Sequence, residues 1–243
     1  SYKFIIDNPD YLSDYKTFSK LKLESKDSLS LQFNALNVYQ KIIQFHQKEN
    51  NLDALVDSDI HRLNFVNQYG TFNDKEALFL STLKTSKNSF DKNQVSGIYA
   101  FEIAKIYKNN SKNELAISIC DKIIKQFPKS LGAKKCTILK NQIKEKSLSI
   151  TAEKYIPINT NSRLLVNYKN VDKLYFKVIR LDFDTFLKSN VQKRDQMASY
   201  LQNQAVLTFS QEVTDTQDHQ LHATLMSIPA LDEGAYVLFI SDQ

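Results

Sequence analysis

The stretch GIYAFEIAKIYKNNSKNELAISICDKIIKQFP, residues 97–128, decides how the first part of this chain folds. Apolar residues recur at spacings of three and four on both sides of a short polar segment, which predicts two amphipathic helices joined by a turn. Ala116 follows Tyr107 by nine positions, where a small residue lets the second helix cross the first. Pro128 then ends the second helix. The stretch therefore predicts an antiparallel helical hairpin.

This hairpin resembles one tetratricopeptide repeat, a helix pair with a period of about 34 residues. Ile103, Ala104 and Tyr107 stand where that repeat has a large apolar, a small and an aromatic residue. The usual tryptophan is replaced by Ala100, and Ala104 replaces the usual glycine. The resemblance implies a stack of helical hairpins with a concave groove.

The chain before this hairpin has the same helical periodicity. One predicted helix carries the apolar stripe Leu31, Ala35, Val38, Ile42 and Phe45, with Ser28 or Asp27 as its N-cap. The next carries Leu52, Leu55, Val56, Ile60, Leu63 and Val66, and it ends at Gly70. Together with the segments around the opening hairpin, the pattern predicts six helices before about residue 148.

The period changes near residue 150. Six short segments rich in β-branched and aromatic residues follow, and helical segments do not alternate with them. This favours an antiparallel β-sandwich over a parallel sheet. The predicted fold is α+β in separate domains: a tetratricopeptide-like helical domain at residues 1–148, and a sandwich at residues 149–243 with a polar insertion near residues 184–204.

Composition and charge exclude several classes of function. The 243 residues carry a net charge of +5, which divides into +7 before residue 151 and −2 after it. The lysines are dispersed as on a solvated helical surface, so we expect no nucleic-acid partner. No apolar run is long enough to span a bilayer, and the first residues lack the features of a signal sequence. We therefore expect no direct membrane insertion.

The order of parts resembles the N-terminal part of bacterial alpha-2-macroglobulin family proteins. FPKSLGAKKCTILKNQI resembles the last helix before the first macroglobulin-like domain. LLVNYKNVDKLYFKVIRL resembles a strand pair of that domain, and LHATLMSIPALDEGAYVLFISD resembles its closing hairpin, with a tight turn at Asp232 and Gly234. The two-sided apolar strand after this turn is expected inside the sandwich.

That resemblance implies a role in a protease inhibitor of the cell envelope or periplasm, with proteases or envelope proteins as partners. Many members of the family trap proteases with an internal thioester in a Cys-Gly-Glu-Gln type motif. Cys120 is followed by Asp-Lys-Ile and Cys136 by Thr-Ile-Leu, so neither forms it. The resemblance therefore implies a non-catalytic scaffold or interaction segment of a larger inhibitor, with no cofactor.

Both cysteines also have structural interpretations. Cys120 lies on the stripe Ala116, Ile119, Cys120, Ile123 and Phe127, which predicts a buried packing residue. Cys136 lies beside two lysines, where it is either partly exposed or an ordinary helix residue. Two cysteines are too few for a disulfide framework, and their spacing is not that of a zinc site. One rival hypothesis is a hydrolase acting through Cys136 or Asp184.

The remaining polar pairs favour structural roles. His219 and His222 lie three apart, so on a strand they point to opposite faces and do not form a metal site. Asp182 and Asp184 share a face if extended, but at a strand end they favour capping. A second rival hypothesis is a peptide-binding adaptor whose helical groove is lined by Tyr99, Lys105, Tyr107 and Lys108.

Overall fold

The computed structural model describes residues 3–182, 184, 199–214 and 216–242. The chain divides into two compact units, Ser1–Ile143 and Lys144–Gln243. Helices make up the first unit and two antiparallel sheets make up the second. The coarse prediction of helical structure followed by β structure is therefore confirmed.

The helical unit contains one 3-10 helix and, within the described residues, seven α-helices. The bounds are Pro9–Leu12 for the 3-10 helix, then α1 Tyr15–Phe18, α2 Leu31–Lys48, α3 Leu52–Tyr69, α4 Lys75–Ser89, α5 Ser96–Asn109, α6 Asn113–Gln126 and α7 Leu131–Lys144. The six predicted helices correspond to α2–α7. The 3-10 helix and α1 were not predicted, because a single turn leaves no periodic pattern. None of the helices in these ranges has the length and apolar content needed to cross a bilayer.

Side chains cap several of these helices. Ser30, not Ser28 or Asp27, is the N-cap of α2, and its hydroxyl accepts a hydrogen bond from the Phe33 amide at 3.2 Å. Asp27 instead accepts a hydrogen bond from the Phe4 amide at 3.0 Å, which holds the N-terminal segment in place. Gly70 follows the last residue of α3, as predicted.

The two apolar stripes predicted in α2 and α3 differ in burial. In α3, the stripe that includes Leu55, Ile60 and Leu63 is buried, as expected. In α2 the predicted stripe is largely exposed: Leu31 is 85% exposed and Phe45 is 54% exposed. The buried residues of α2 are Leu36 and Ile43. The helix is therefore rotated relative to the strongest apolar pattern in its sequence.

Hydrogen bonds to the N-terminal segment explain this rotation. The Gln40 side-chain amide donates to the carbonyls of Phe18 and Leu21 at 2.9 and 2.8 Å. Gln44 donates to the carbonyl of Ser19 at 2.6 Å. These carbonyls lie in and just after α1 and need partners when they are covered by a helix. The side of α2 that meets the N-terminal segment thus carries half-buried Gln40 and exposed Gln44, next to the buried residues Leu36 and Ile43.

The β unit has two three-stranded sheets in the ranges described. The strands are β1 Ser147–Ala152, β2 Ser162–Lys169, β3 Lys173–Leu181, β4 Leu207–Glu212, β5 His222–Ile228 and β6 Ala235–Ser241. One sheet has the order β1-β2-β5 and the other has the order β4-β3-β6, and every pair is antiparallel. All six strand segments predicted from the sequence are present.

The strand pairs predicted by resemblance are wrong. Consecutive strands β2 and β3 lie in different sheets, and so do β5 and β6, so neither pair forms a hairpin. The two-sided apolar strand β6 lies at the edge of its sheet, where most of its residues are half-buried. An apolar pattern fixes which face of a strand is covered, but it does not choose the neighbour.

One buried cluster contains residues of both sheets. It includes Leu164 and Val166 of β2, Leu174 and Phe176 of β3, and Met226 of β5. The rings of Phe176 and Phe209 stack with centroids 4.4 Å apart across β3 and β4. The predicted insertion near residues 184–204 falls mostly outside the described residues.

Candidate functional site

A cluster of one aromatic ring and two lysines lies where α5 and α7 meet. The Nζ atoms of Lys105 and Lys135 each lie 5.5 Å from the centroid of the Phe101 ring. An ammonium group at this distance is attracted to the face of an aromatic ring. Lys105 also pairs with Glu102, at 2.8 Å between Nζ and Oε2, and the Glu102 side chain is nearly buried.

One turn further along, Lys108 of α5 donates to the Gln142 side chain of α7 at 3.2 Å. Ile138, between Lys135 and Gln142 on α7, is 60% exposed. Residues 101, 105 and 108 share one face of α5, and residues 135, 138 and 142 share one face of α7, because each set has helical spacing. We call these six residues the α5–α7 face. It combines three cations with two apolar side chains.

Small residues bring the two helices together. A Cβ atom added to Gly132 of α7 would lie 2.5 Å from the carbonyl carbon of Gly97 in α5, so the backbones are in direct contact. Buried Ala100, Ala104 and Ala133 extend this contact. Lys108 and Gln142 are 34 positions apart, which sets the register of the two helices.

The predicted groove residues do not form one set. Lys105 and Lys108 lie on the α5–α7 face. Tyr99 is fully buried, and Tyr107 is half-buried with Lys84 Nζ 5.6 Å from its ring. Tyr99 is therefore a core residue. Sequence reasoning missed Phe101 and Lys135, although they are one repeat period apart in the chain.

Tyr99 belongs to a buried polar network. Its hydroxyl donates to Asp59 Oδ2 at 2.7 Å. The Arg62 guanidinium donates to Asp59 Oδ1 at 2.5 and 3.1 Å and to the carbonyls of Tyr11 and Ser13 at 2.6 and 2.8 Å. Burial, and next the charge of Asp59, raise the pKa of Tyr99 well above its usual value. The network attaches the N-terminal segment to α3 and α5.

The two cysteines lie in a second buried cluster. Cys120 is fully buried, as predicted, and Cys136 is also fully buried, so the partly exposed alternative for Cys136 is wrong. Of the neighbouring lysines, Lys134 is exposed and Lys135 is half-buried, while Cys136 belongs to a buried cluster that also contains Ala116 and Ile123. The sequence pattern gave no sign that the two cysteines lie close together, whereas the structure places both in one buried cluster.

The histidines of the β unit have separate partners. His222 Nε2 lies 2.9 Å from Asp218 Oδ1 and 2.8 Å from Thr216 Oγ1. His219 Nδ1 lies 2.7 Å from Asn170 Oδ1. Hydrogen bonds, first from His222, lower the pKa of Asp218 to about 2.

Other acidic and metal-ligating candidates remain dispersed. Asp182 and Asp184, proposed as a pair, are both exposed. Among the described residues, no three His, Cys, Asp or Glu side chains are grouped as metal ligands would be. The α5–α7 face is therefore the best-defined candidate for binding.

Comparisons with known proteins do not identify a relative. No protein-family model, no curated protein and no solved structure matches this chain. The resemblance to alpha-2-macroglobulin proteins therefore stays an expectation from the sequence.

Proposed function

We propose that this chain is a non-catalytic interaction segment whose helical unit binds an acidic stretch of a partner protein on the α5–α7 face. The observation that carries the proposal is the position of Phe101 between Lys105 and Lys135, each 5.5 Å from the ring. Cations attract carboxylates over several ångströms, and the ring with exposed Ile138 offers contact to an apolar side chain.

Two finer features of the architecture belong to this proposal. The helical unit is a tetratricopeptide-like array, for which the 34-residue offset between Lys108 and Gln142 and the close contact of Gly97 with Gly132 are the support. The β unit is an antiparallel sandwich, for which the buried cluster shared by both sheets is the support. In such an array, equivalent helices of successive repeats line one binding surface.

A labelled peptide tests the proposed binding. The full chain is titrated into a fluorescent peptide that contains several Asp and Glu residues and one Phe, and anisotropy is measured at low and high salt. A peptide of the same length with Lys in place of Asp and Glu is the control ligand. We expect saturable binding of the acidic peptide only, and weaker binding at high salt because the attraction is electrostatic.

A charge reversal then locates the site. Lys135→Glu should weaken binding about tenfold, which corresponds to about 1.4 kcal/mol. Lys134→Glu is the matched control, because Lys134 is the exposed neighbour on the same helix and changes the net charge equally. Equal effects of both variants, or binding that salt leaves unchanged, would refute the proposed site.

A second function follows from the resemblance in the order of parts. In this proposal, the chain is a scaffold segment of a larger alpha-2-macroglobulin-like protease inhibitor of the bacterial envelope, where its partners are proteases or envelope proteins. The helical unit followed by two antiparallel sheets supports it. The complete reading frame tests this proposal. A Cys-Gly-Glu-Gln type motif downstream is expected, and a short frame that contains no further macroglobulin-like domain would refute it.

A further inference from the structure

Cys120 and Cys136 lie on neighbouring helices in the same buried cluster. Cys120 is on α6, Cys136 is on α7, and neither side chain is exposed to solvent. The residues around them include Ala116, Ile123 and Leu139. Both thiols are free in this structure.

Two observations place the thiols close together. Both side chains belong to one small buried cluster that is built from residues of α5, α6 and α7. At the surface, Lys140 of α7 donates to Asp121 of α6 at 2.6 Å, and these residues are one position after Cys120 and one helical turn after Cys136. This ion pair sets the register of α6 and α7 at the level of the thiols.

We propose that Cys120 and Cys136 form a reversible intramolecular disulfide that joins α6 to α7 when the protein meets a low-molecular-weight disulfide such as oxidised glutathione. The proposal concerns the helical unit alone and does not depend on the partner of the α5–α7 face. A cysteine pair buried in a small-residue cluster also packs as two small apolar side chains, so the experiment must distinguish pairing from packing.

The reaction takes two exchange steps. The thiolate of one cysteine attacks one sulfur of glutathione disulfide, a mixed disulfide forms, and one glutathione thiolate leaves. The other cysteine then loses its proton and attacks the protein sulfur of the mixed disulfide, and the second glutathione thiolate leaves. The two protein thiols are oxidised to one disulfide, one glutathione disulfide is reduced to two thiols, and the two protein protons end on those thiols.

Either cysteine can be the first nucleophile, because both thiols lie in the same buried cluster and the other cysteine then resolves the mixed disulfide.

Burial makes the reaction depend on local opening. Neither sulfur is accessible in the folded protein, so glutathione disulfide reacts only when α7 moves away from α6. We expect slow loss of thiols in buffer and faster loss in urea below the unfolding transition. Once formed, the disulfide closes the loop between residues 120 and 136 and raises the melting temperature of the helical unit by roughly 5–10 °C.

The test uses the full chain with graded glutathione redox buffers. Free thiols are counted with a chromogenic reagent after denaturation, intact mass is measured, and peptides are mapped without reduction. The expected result is paired loss of both thiols, a mass lower by two hydrogens, a 120–136 cross-link and recovery of both thiols with reductant. Cys136→Ala should stop the reaction at a glutathione adduct on Cys120.

Several results would overturn the proposal. These are two independent glutathione adducts in the wild type, a disulfide-linked dimer, or two intact thiols after incubation in sub-denaturing urea. The mass and peptide map of the wild type decide the question even if the Cys136→Ala variant does not fold.

Discussion

Among the described residues, the helical unit has a fully buried ion pair in addition to exposed ones, whereas the ion pairs of the β unit are all at least partly exposed. In the helical unit, the side chains of Asp59 and Arg62 form an ion pair with neither exposed to solvent. In the β unit, the pairs Asp218–His222 and Lys146–Asp242 are partly exposed. A buried pair is strongly destabilising when one partner is removed, whereas an exposed pair contributes little. The comparison therefore predicts that removing one partner of the buried pair greatly lowers the free energy of unfolding of the helical unit. Removing one partner of an exposed pair in the β unit should have only a small effect, and that effect should depend on pH.

Removing Asp59 should have the largest effect. Asp59→Ala leaves the Arg62 guanidinium buried without its carboxylate, and we expect a loss of about 3–5 kcal/mol in the free energy of unfolding. Urea denaturation followed by far-UV circular dichroism measures it. Asp57→Ala is the control on the same helix, since Asp57 and its partner His61 are well exposed. If both variants lost a similar free energy of unfolding, burial would not be what makes the Asp59–Arg62 pair important for stability.

Tyr99→Phe removes one member of the same network. The lost hydrogen bond to Asp59 should cost about 1.5–3 kcal/mol, because the acceptor is charged. Since the pKa of Tyr99 is raised on folding, its contribution to stability is complete below pH 10 and falls as the pH rises above 10. Urea unfolding at pH 8 and above pH 10 should therefore show a weaker alkaline loss in the variant. Tyr107→Phe, at a half-buried position of the same helix, should change stability by less than about 0.5 kcal/mol.

Gly132→Ala tests the contact between α5 and α7. The added methyl group would meet backbone atoms of Gly97 that cannot move without shifting a helix, so we expect a cost of about 1–3 kcal/mol. Gly234→Ala in the β unit is the control, because its nearest neighbour is the Arg180 side chain at 3.1 Å, which can move. Thermal unfolding of both variants compares the two sites. A larger cost at Gly234 would contradict the close packing of the helices.

Asp218→Asn should have the smallest effect, and it should depend on pH. The folded pKa of Asp218 is about 2, below the usual 3.8, so its contribution is present above about pH 4 and is lost as the pH falls toward 2. The variant should lack this part of the acid-induced decrease in melting temperature. Asp232→Asn, another exposed carboxylate of the β unit, should retain it.

The sequence predicted the helices and strands better than it predicted which of them pack against each other. Periodicity identified α2–α7 and all six strands, because it reports which face of an element is covered. It failed at α2, where Gln40 and Gln44 donate to backbone carbonyls of a segment that has no periodic pattern of its own. It also failed at the sheets, where neighbours along the chain are not neighbours in space.

The candidate sites were predicted less well for the same reason. Lys105 and Lys108 were identified on α5, but Phe101 and Lys135 meet only because α5 and α7 lie in contact at Gly97 and Gly132. Partial exposure was one of two alternatives for Cys136 because lysines precede it, yet one step along a helix turns a side chain by about 100°. Both sites are formed by contacts between helices, and the periodicity of a single sequence does not show which helices are in contact.

The outward stripe of α2 has a consequence for the heat capacity of unfolding. Leu31, Val38 and Phe45 are more than half exposed in the folded protein, so unfolding hydrates little additional apolar surface there. Replacing Phe45 with Gln should therefore leave both the heat-capacity change and the urea m-value nearly unchanged while it raises solubility. The same replacement at Leu63 of α3, which is fully buried, would lower all three quantities.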